Sequence, residues 1–313
     1  MSQAPSLRPV TAVIITYQSA RTVARTLAAT RRCCDENLLD VIIVDNNSTD
    51  GTRDIIEGES AWARLLLTGR NIGFARGCNI GLAQVRSPYT IFLNPDAVVE
   101  PEAIRTMLLF FEQHPRAGIV GPATICGEND TDKVLQSTGR LPSPWTILRN
   151  AIPGLGSRAD TWEIVPGSAP ARTGWVSGGV FMVRTSLMRQ LNGFDPRFFL
   201  YWEEMDVCKR AEDAGFENWV LGTALAHHVV GASASPAELR IGPCIAKHYL
   251  QSRYYYMVKH HGRFAATIAE LGEFIALFTR SAVDVVRGRG WNRLRPRLQA
   301  SLLSMPEQEP VER

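Results

Sequence analysis

The sequence lacks a long apolar run, and this absence argues against a membrane-spanning helix. Its 313 residues contain no uncharged apolar stretch of about 18 residues, the length at which a spanning helix is first indicated. The N-terminal residues also lack the basic and then apolar pattern of a secretion signal. We therefore expect a cytoplasmic protein.

Paired cysteines are also missing. None of the six cysteines forms a CxxC pair, and the adjacent Cys33 and Cys34 are poorly placed to bridge each other. We expect the cysteines to be reduced, as in a cytosolic protein.

The net charge of +3 is too small to indicate a nucleic-acid partner. The length suggests about two domains, or one large domain with an appendage.

Two glycine motifs of nucleotide-binding proteins are absent. The turn after the first predicted strand, Thr16-Tyr17-Gln18-Ser19, contains no glycine where the dinucleotide motif G-x-G-x-x-G would lie. This absence argues against a nicotinamide or flavin enzyme. A later turn, residues 71–81, has regularly spaced glycines but no Lys-Ser/Thr of a P-loop. That turn predicts either phosphate contact, with Arg76 facing a diphosphate, or close helix–strand packing, with Arg76 facing solvent.

What is present is an alternation of short β-branched runs with helical segments. Such alternation favours a mostly parallel sheet covered by helices on both faces. The predicted strands span residues 11–17, 39–45, 64–68, 89–93, 174–183 and 219–221. The predicted helices span residues 21–34, 52–57, 100–113 and 186–191, with a further helix ending near 214. Residues 127–173 contain five prolines and little periodicity, which indicates a long, partly irregular functional loop.

Two carboxylates end predicted strands. Asp45 ends the second strand, and Asp96 follows Asn94 and Pro95 after the strand at 89–93. The carboxyl ends of strands in an open α/β sheet form the edge where ligands bind. Asp45 is therefore a candidate acceptor for a nucleotide, and Asp96 suits a divalent cation on a diphosphate. A capping role for Asp45 and an ordinary polar turn at Asp96 are the alternatives.

Three acids, Glu203, Glu204 and Asp206, lie at the start of a predicted helix directly after an aromatic cluster at 198–202. A carboxylate beside dense aromatic side chains is partly desolvated, as a general base requires. The helix dipole also favours acids at this position, so a structural role is the alternative.

Two adjacent histidines, His227 and His228, are predicted in the loop after the last strand. Their neutral nitrogens are suited to bind a metal or a phosphate. Such a role requires the sheet to bring them near Asp96. Otherwise they are ordinary structural or exposed histidines.

The C-terminal part of the chain is basic and amphipathic. Residues 240–297 contain eleven lysines and arginines against three acids, which suggests an acidic partner surface. Leu271, Phe274, Ile275 and Phe278 recur at helical spacing and form one apolar face. We expect this segment to lie on the anionic inner face of the cell membrane. A helical appendage packed on the core, or a homodimer contact, is the alternative.

Together these segments resemble the family 2 inverting glycosyltransferases, and within them the rhamnosyltransferase-like branch that builds bacterial cell-surface glycans. The resemblance covers about residues 10–235 in the family's order. It rests on Val13-Ile-Ile-Thr-Tyr17, Val44-Asp-Asn-Asn-Ser48, the turn from Asn71 to Asn79, Phe92-Leu-Asn-Pro-Asp96, Ser177-Gly-Gly179, Gly193-Phe-Asp-Pro-Arg-Phe-Phe199, Tyr201-Trp-Glu-Glu-Met-Asp206, and His228 with Gly231 and Ser233.

This resemblance implies an α/β fold of the GT-A type, the nucleotide-diphospho-sugar transferase fold, with a C-terminal helical extension. The implied catalytic domain spans 1–235, with a nucleotide-sugar half at about 10–125 and an acceptor half at about 126–235. Residues 236–313 would form the basic amphipathic helical extension with a disordered tail. The implied reaction moves a sugar from a nucleotide-diphosphate donor, with dTDP-rhamnose as a candidate, to a glycan or lipid-linked acceptor in cell-surface polysaccharide synthesis.

The resemblance also assigns roles to single residues. Glu204 matches the general base, with Glu203 beside it, and Asp206 would support the base or the acceptor pocket. Asp96 and His228 would bind Mg²⁺ or Mn²⁺. The acceptor would meet Gly178, Gly179 and Trp202. The residues that would contact the nucleotide-sugar are Thr16, Tyr17, Asp45, Asn71, Gly73, Phe74, Arg76, Asn79, Asn94 and Asp96.

Two positions depart from the family's pattern. Asn94 replaces the first acid of the common Asp-x-Asp metal motif, and Glu204 stands where Asp is common. The Gln-x-x-Arg-Trp motif of processive synthases is absent, so we expect addition of one or a few sugars.

Two other functions remain as alternatives. A nucleotidyltransferase of similar architecture would carry a glycine- and lysine-rich stretch after the first strand, and a non-catalytic glycan- or nucleotide-binding module would not need the acids at 203–206.

Overall fold

A computed structural model describes residues 8–126, 133–134, 138–152, 155, 160–228, 243–288, 290–291, 294, 297–299 and 303–306. The strands of this part of the chain are β1 (Val10–Thr16), β2 (Leu39–Asp45), β3 (Arg64–Leu67), β4 (Tyr89–Leu93), β5 (Ala97–Val99), β6 (Ala117–Cys126), β7 (Lys133–Val134), β8 (Thr138–Gly139), β9 (Thr161–Trp162), β10 (Ala171–Thr173), β11 (Trp175–Val176), β12 (Val180–Arg184) and β13 (Glu217–His228). The helices are α1 (Val23–Asp35), α2 (Thr52–Glu59), α3 (Phe74–Leu82), α4 (Pro101–Gln113), α5 (Pro144–Ala151), α6 (Thr185–Gln190), α7 (Glu203–Asp213), α8 (Pro243–His261) and α9 (Arg263–Val286), and a short 3-10 helix spans Arg297–Gln299.

The main sheet is mixed, with the strand order β10-β13-β6-β12-β4-β1-β2-β3, and with β5 beside β13 and β7 beside β6. β1 runs parallel to β2 and β4, and β2 runs parallel to β3. These are the predicted β-branched strands, and β1, β2 and β4 are almost wholly buried, as expected of parallel strands covered on both faces. A second sheet has the order β11-β8-β9. The predicted α/β architecture is confirmed.

The direction of β12 determines which strand ends meet. β12 is antiparallel to both β4 and β6, and β6 is parallel to β13. The carboxyl ends of β1, β2, β3, β4, β6 and β13 therefore lie at one edge of the sheet, together with the amino end of β12. This is the edge at which ligands bind in open α/β sheets.

The histidine pair lies in a strand, so the prediction of a loop there was wrong. β13 continues through His228 instead of ending near Leu221. Its pairing with β6 shifts between Leu221 and Leu225. Gly222 and the irregular pairing around it interrupt the apolar pattern, so the sequence indicated only the first part of this strand.

The predicted irregular region between residues 127 and 173 contains more regular structure than expected. α5 begins after Ser143, whose hydroxyl accepts a hydrogen bond from the backbone of Thr146 in a capping box, and Pro144 occupies the first turn. Both features favour a helix start. Residues 127–132, 135–137, 153–154 and 156–159 of this region lie outside the described part of the chain.

The chain divides into two compact units. The sheet unit comprises residues Met1–Arg140, Thr161–Asp195 and Glu204–Ser233, and the helical unit comprises Leu141–Asp160, Pro196–Glu203 and Ala234–Arg313. Within the helical unit, α9 packs against α5 and α8. The predicted domain boundary at 235 lies outside the described residues, as do residues 307–313 of the tail predicted at 305–313.

None of the described helices is long and apolar enough to cross a bilayer.

The cysteines whose side chains are described are free thiols, namely Cys33, Cys34, Cys78, Cys126 and Cys208. Burial raises the pKa of Cys33 to about 12 and that of Cys34 to about 11, so both are protonated thiols near neutral pH. The side chain of Cys244 lies outside the described part.

Candidate active site

The turn Asn94-Pro95-Asp96 after β4 is held by hydrogen bonds on two sides. The backbone N–H of Asn94 donates to the carbonyl of Gly179 at 2.9 Å. The hydroxyl of Thr26 in α1 donates to the carbonyl of Pro95 at 3.0 Å. These bonds fix the backbone that carries the Asp96 carboxylate at the ligand-binding edge of the sheet.

His228 faces Asp96 across this edge. The last residue of β13 pairs with Ala97 at the start of β5, so the sheet itself brings the two side chains together. Nε2 of His228 lies 2.9 Å from Oδ1 of Asp96, and the two side chains are only 3% and 14% exposed. The two atoms are within the range of an ion pair, but no hydrogen bond joins them. Neither atom has a hydrogen-bond partner within the described part of the chain.

A shared cation fits this arrangement. Buried polar atoms nearly always have a partner, so two that lie side by side without a hydrogen bond need another group to satisfy them. Ligands of Mg²⁺ at about 2.0–2.1 Å and at right angles lie about 2.9 Å apart, which matches the Asp96–His228 separation. Among the described residues, no group of three or more His, Cys, Asp or Glu side chains is arranged to hold a metal. A cation here would have two protein ligands and open positions for oxygen atoms of a bound molecule.

Two consecutive glycines connect this pair to Glu204. A Cβ atom on Gly179 would lie 3.4 Å from Nε2 of His228, and one on Gly178 would lie 3.4 Å from the carboxyl carbon of Glu204. The imidazole and the Glu204 carboxylate therefore contact neighbouring residues of one turn. The structure brings together Asp96, His228 and Glu204, which are distant in the sequence.

Asp45 lies buried at the end of β2, at 1% exposure. Its Oδ1 accepts hydrogen bonds from the hydroxyls of Thr16 at 2.8 Å and Ser48 at 2.6 Å, and its Oδ2 accepts one from the backbone N–H of Ser48 at 2.9 Å. These bonds organise the turn after β2. A carboxylate has about four acceptor positions, so one remains for a ligand.

Asn46 is a candidate that the sequence reasoning missed. Its Nδ2 donates to the carbonyl of Gly73 at 3.1 Å, which identifies the other side-chain atom as Oδ1. That oxygen is buried and has no hydrogen-bond partner in the described residues. The only signal in the sequence was its place directly after Asp45 at a strand end.

The turn before α3 combines close packing with one half-buried arginine. The N–H of Gly73 donates to the side chain of Asn71 at 3.0 Å, and Gly73 has a φ of 85°, which only glycine adopts without strain. A Cβ on Gly77 would lie 3.1 Å from Ile15. The alternative of close helix–strand packing is thus present in the structure. Arg76 is half-buried at the start of the helix.

Asn79 has a structural contact. Its Nδ2 donates to the carbonyl of Phe194, and its Oδ1 accepts from the N–H of Phe194, both at 2.8 Å. Both polar atoms of the side chain therefore bind the backbone of the 193–194 turn. The ring of Phe74 also packs edge-on against Phe194. A direct nucleotide-sugar contact by Asn79 would require these bonds to break.

Asp206 belongs to a buried ion pair in α7. It is fully buried, and Nε of Arg210 donates to it at 2.8 Å. The same guanidinium donates to the carbonyls of Leu191 and Gly193. Asp206 therefore anchors α7 to the 191–193 turn, which agrees with a supporting role. Glu203, the first residue of α7, is 5% exposed.

Tyr201 and Trp202 have an unusual backbone directly before α7. Their φ angles are 67° and 71°, a region that is strained for bulky residues and that often accompanies functional sites. In the helical unit, the Trp202 ring is buried against Tyr249 and Tyr256. The predicted acceptor contact of Trp202 stays a prediction.

Comparison with known proteins places this chain in a family. The family model described as Glycosyl transferase family 2 matches residues 11–172, more than half of the chain. The N-acetylglucosaminyl-diphospho-decaprenol L-rhamnosyltransferase of Mycobacterium tuberculosis is 29% identical over 277 residues, which cover 82% of this chain and 86% of that protein. Rhamnosyltransferase WbbL of Escherichia coli is 27% identical over 158 residues, 48% of this chain and 58% of that protein.

Solved structures show the same fold. A mannosyltransferase from Pyrobaculum calidifontis, solved with GDP-Man and Mn²⁺, has a TM-score of 0.56 at 16% identity and covers 91% of this chain and 76% of its own. TarS of S. aureus has a TM-score of 0.50 at 14% identity and covers 91% of this chain and 89% of its own. The family match decides against the nucleotidyltransferase and the non-catalytic module. This chain belongs to glycosyl transferase family 2, as a rhamnosyltransferase-like glycosyltransferase with the predicted GT-A fold.

Proposed function

We propose that this glycosyltransferase moves one sugar from a nucleotide-diphosphate donor to a hydroxyl of a glycan or lipid-linked acceptor, with inversion at the anomeric carbon. The observation that carries the proposal is the pair Asp96 and His228, 2.9 Å apart, with Glu204 close to them beside the Gly178-Gly179 turn. It supplies a cation site and a carboxylate at one edge of the sheet, as a direct displacement at a sugar diphosphate requires.

Asp96 and His228 are proposed to hold Mg²⁺ or Mn²⁺ on the donor diphosphate. The bound cation would neutralise charge on the departing diphosphate. The nitrogen ligand favours Mn²⁺ over Mg²⁺, because Mg²⁺ prefers oxygen ligands. Asn94 carries no charge, so the protein supplies a single carboxylate, and Asp96 should be indispensable for the binding of the cation.

Asp45 and Asn46 are proposed to bind the nucleoside. The buried Oδ1 of Asn46 requires a donor, which a base N–H or a sugar hydroxyl supplies. Thr16 holds the Asp45 carboxylate in place. Tyr17 is 48% exposed beside them, so its ring is free to pack on the base. Arg76, near the Gly73 turn, is assigned to the diphosphate, together with the remaining predicted contacts Asn71, Gly73, Phe74 and Asn94.

Glu204 is proposed as the general base. Its carboxylate takes the proton from the acceptor hydroxyl as that oxygen bonds to the anomeric carbon from the face opposite the diphosphate. The bond from the anomeric carbon to the diphosphate oxygen breaks in the same step, so no glycosyl-enzyme forms. Gly178 leaves room beside this carboxylate for the acceptor.

The names of the relatives narrow the substrates. Both relatives above are named rhamnosyltransferases, and one is named for an N-acetylglucosaminyl-diphospho-decaprenol acceptor. We therefore propose dTDP-rhamnose as the donor and a lipid-linked glycan of cell-surface polysaccharide synthesis as the acceptor. A membrane-borne acceptor agrees with peripheral association of the basic segment 240–297 with the inner face of the membrane.

A donor-hydrolysis screen tests this proposal. The full chain is incubated with UDP-, GDP- and dTDP-sugars in Mg²⁺, Mn²⁺ or EDTA, and release of the nucleoside diphosphate is measured. We expect release from dTDP-rhamnose above the other donors, and loss of release in EDTA. Equal release in EDTA would contradict the metal assignment, and preference for another nucleotide would contradict the donor assignment.

A further inference from the structure

The helix α9 has its polar side buried and its apolar side exposed. Glu270, Ser281 and Asp284 are buried within the protein. A surface helix of a globular protein normally has the opposite arrangement. The exposed apolar side chains of this helix are Phe264, Ile268, Leu271, Ile275, Phe278, Val283, Val285 and Val286. The apolar face that the sequence predicted is therefore directed to the surroundings.

A buried charge network holds α9 in this orientation. Arg253 of α8 donates to the carboxylate of Glu270 at 3.0 and 2.8 Å and to Glu273 at 2.9 Å. Arg297 donates to Glu270 at 2.5 Å. Glu270 is completely buried, and Arg253 and Arg297 are nearly so. Rotating the apolar face inward would separate these buried charges, which is strongly unfavourable.

The exposed face is long and continuous. Its residues 264, 268, 271, 275 and 278 alternate by four and three positions, so they form one straight row along the helix. α9 has 24 residues and is about 36 Å long. Val286 is 89% exposed at its end, and the half-exposed ring of Trp291 contacts Phe278. An exposed apolar patch of this kind marks an interaction surface.

The exposed charges around this face are basic. Among the described residues between 243 and 299, the exposed charged side chains are Lys247, Arg263 and Arg287. The acids of the same segment are buried or half-buried. Two of these exposed basic residues, Arg263 and Arg287, lie at the two ends of the apolar row.

These charges favour a lipid surface over a second copy of the chain. In a parallel pair of α9 helices, Arg263 would lie beside Arg263 and Arg287 beside Arg287. In an antiparallel pair, Arg263 would lie beside Arg287. Each arrangement brings like charges together, which is unfavourable. An anionic bilayer surface instead matches both the apolar row and the basic ends.

We propose that the exposed face of α9 inserts into the headgroup region of an anionic bilayer, with Phe264, Ile275 and Phe278 among the acyl chains and Arg263 and Arg287 at the phosphates. The helix lies in the plane of the surface. This inference deepens the proposed use of a membrane-borne acceptor, because it names the surface that brings the enzyme to that acceptor. The binding itself requires no catalysis.

Sedimentation of the full chain with vesicles tests this inference. Vesicles of phosphatidylcholine, with and without phosphatidylglycerol, are compared for the wild type, Ile275→Glu, and the double variant Arg263→Gln/Arg287→Gln. The matched control is Leu109→Glu, because Leu109 is a similarly exposed apolar residue on α4 of the sheet unit. Circular dichroism verifies that each variant is folded, and analytical ultracentrifugation reports the oligomeric state.

We expect the wild type and Leu109→Glu to bind vesicles that contain phosphatidylglycerol. Ile275→Glu should weaken binding at least about tenfold, since it places a charge in the apolar region. The arginine variant should weaken binding about fivefold per charge removed. Vesicle binding by Ile275→Glu equal to that of the wild type would overturn the inference, as would a wild-type dimer that Ile275→Glu dissociates without any vesicle binding. A protein that binds vesicles but hydrolyses no donor would refute the proposed function alone.

Discussion

The carboxylate of Glu204 lies beside Gly178, whose missing side chain leaves space next to the acid. A Cβ on Gly178 would lie 3.4 Å from the carboxyl carbon, so any larger side chain there would occupy the space next to the acid. Asp206, two residues further, is instead paired with Arg210. Of the acids at the start of α7, Glu204 is the one proposed as the base, and Asp206 has the geometry of an anchor.

Replacement of Glu204 should separate binding from chemistry. We expect Glu204→Gln to lower the rate of transfer by about 10²–10⁴, the usual contribution of a general base, while the affinity for the nucleoside diphosphate stays unchanged. Single-turnover rates and calorimetric titration measure the two quantities. Glu203→Gln is the matched control and should retain most of the rate. If Glu203→Gln loses the rate and Glu204→Gln keeps it, the base is Glu203.

Single residues also show where sequence reasoning succeeds and where it stops. The places of Asp96 and Asp45 after buried strands could be predicted from the apolar runs that precede them, and their roles stay predictions. Asn46 could not, since its unsatisfied oxygen is visible only after Gly73 is seen to accept from its amide nitrogen. The assignment of Asn79 to the donor site rested on a motif, and the motif does not reveal that Phe194 uses both of its polar atoms.

At the scale of elements, α3 shows why its glycines are spaced by four. A Cβ on Gly81 would overlap the side chain of Val13 in β1, and one on Gly77 would press on Ile15. The helix therefore lies close to β1, the strand that precedes the proposed nucleoside site. The β-branched side chain of Val13 has little freedom to move aside.

An alanine substitution at Gly81 should therefore destabilise the protein. We expect Gly81→Ala to lower the free energy of unfolding by about 1–3 kcal/mol through overpacking. The control is Gly58→Ala in α2, where no atom lies within 4 Å of the added Cβ; this change should raise stability by about 0.5–1 kcal/mol. Chemical denaturation measures both. Equal effects of the two substitutions would show that the packing of α3 is looser than described.

Elements that depend on long-range pairing were the least predictable. The sequence indicated β1, β2 and β4 from their apolar runs, but β6 contains Gly118, Gly121 and Pro122, which conceal it. Gly222 and the shifted pairing around it concealed the end of β13 in the same way. For α9 the sequence predicted the apolar face and left membrane contact and packing on the core as alternatives, because the buried charges that orient the helix come from α8 and from the segment around Arg297.

For the whole molecule, the strand order creates the site. Asp96 follows β4, His228 ends β13 and Gly179 precedes β12, and the sheet brings these three ends to one edge. The sequence predicted that carboxyl ends would meet, but the 2.9 Å approach of His228 to Asp96 depends on the pairing of β5 with β13. The small net charge of +3 conceals the basic segment 240–297, in which the structure shows Glu270 and Asp284 to be buried.

Calorimetric titration decides whether Asp96 and His228 hold a cation for a nucleoside diphosphate. UDP, GDP and dTDP are titrated into the wild type and into Asp96→Asn, which preserves the shape of the side chain, each in Mn²⁺ and in EDTA. We predict that at least one nucleotide binds the wild type about tenfold or more tightly in Mn²⁺, the effect of one charge-assisted contact. In Asp96→Asn this enhancement should vanish, while the affinity in EDTA stays the same. An equal Mn²⁺ enhancement in Asp96→Asn, or none in the wild type for any of the three nucleotides, would contradict the account.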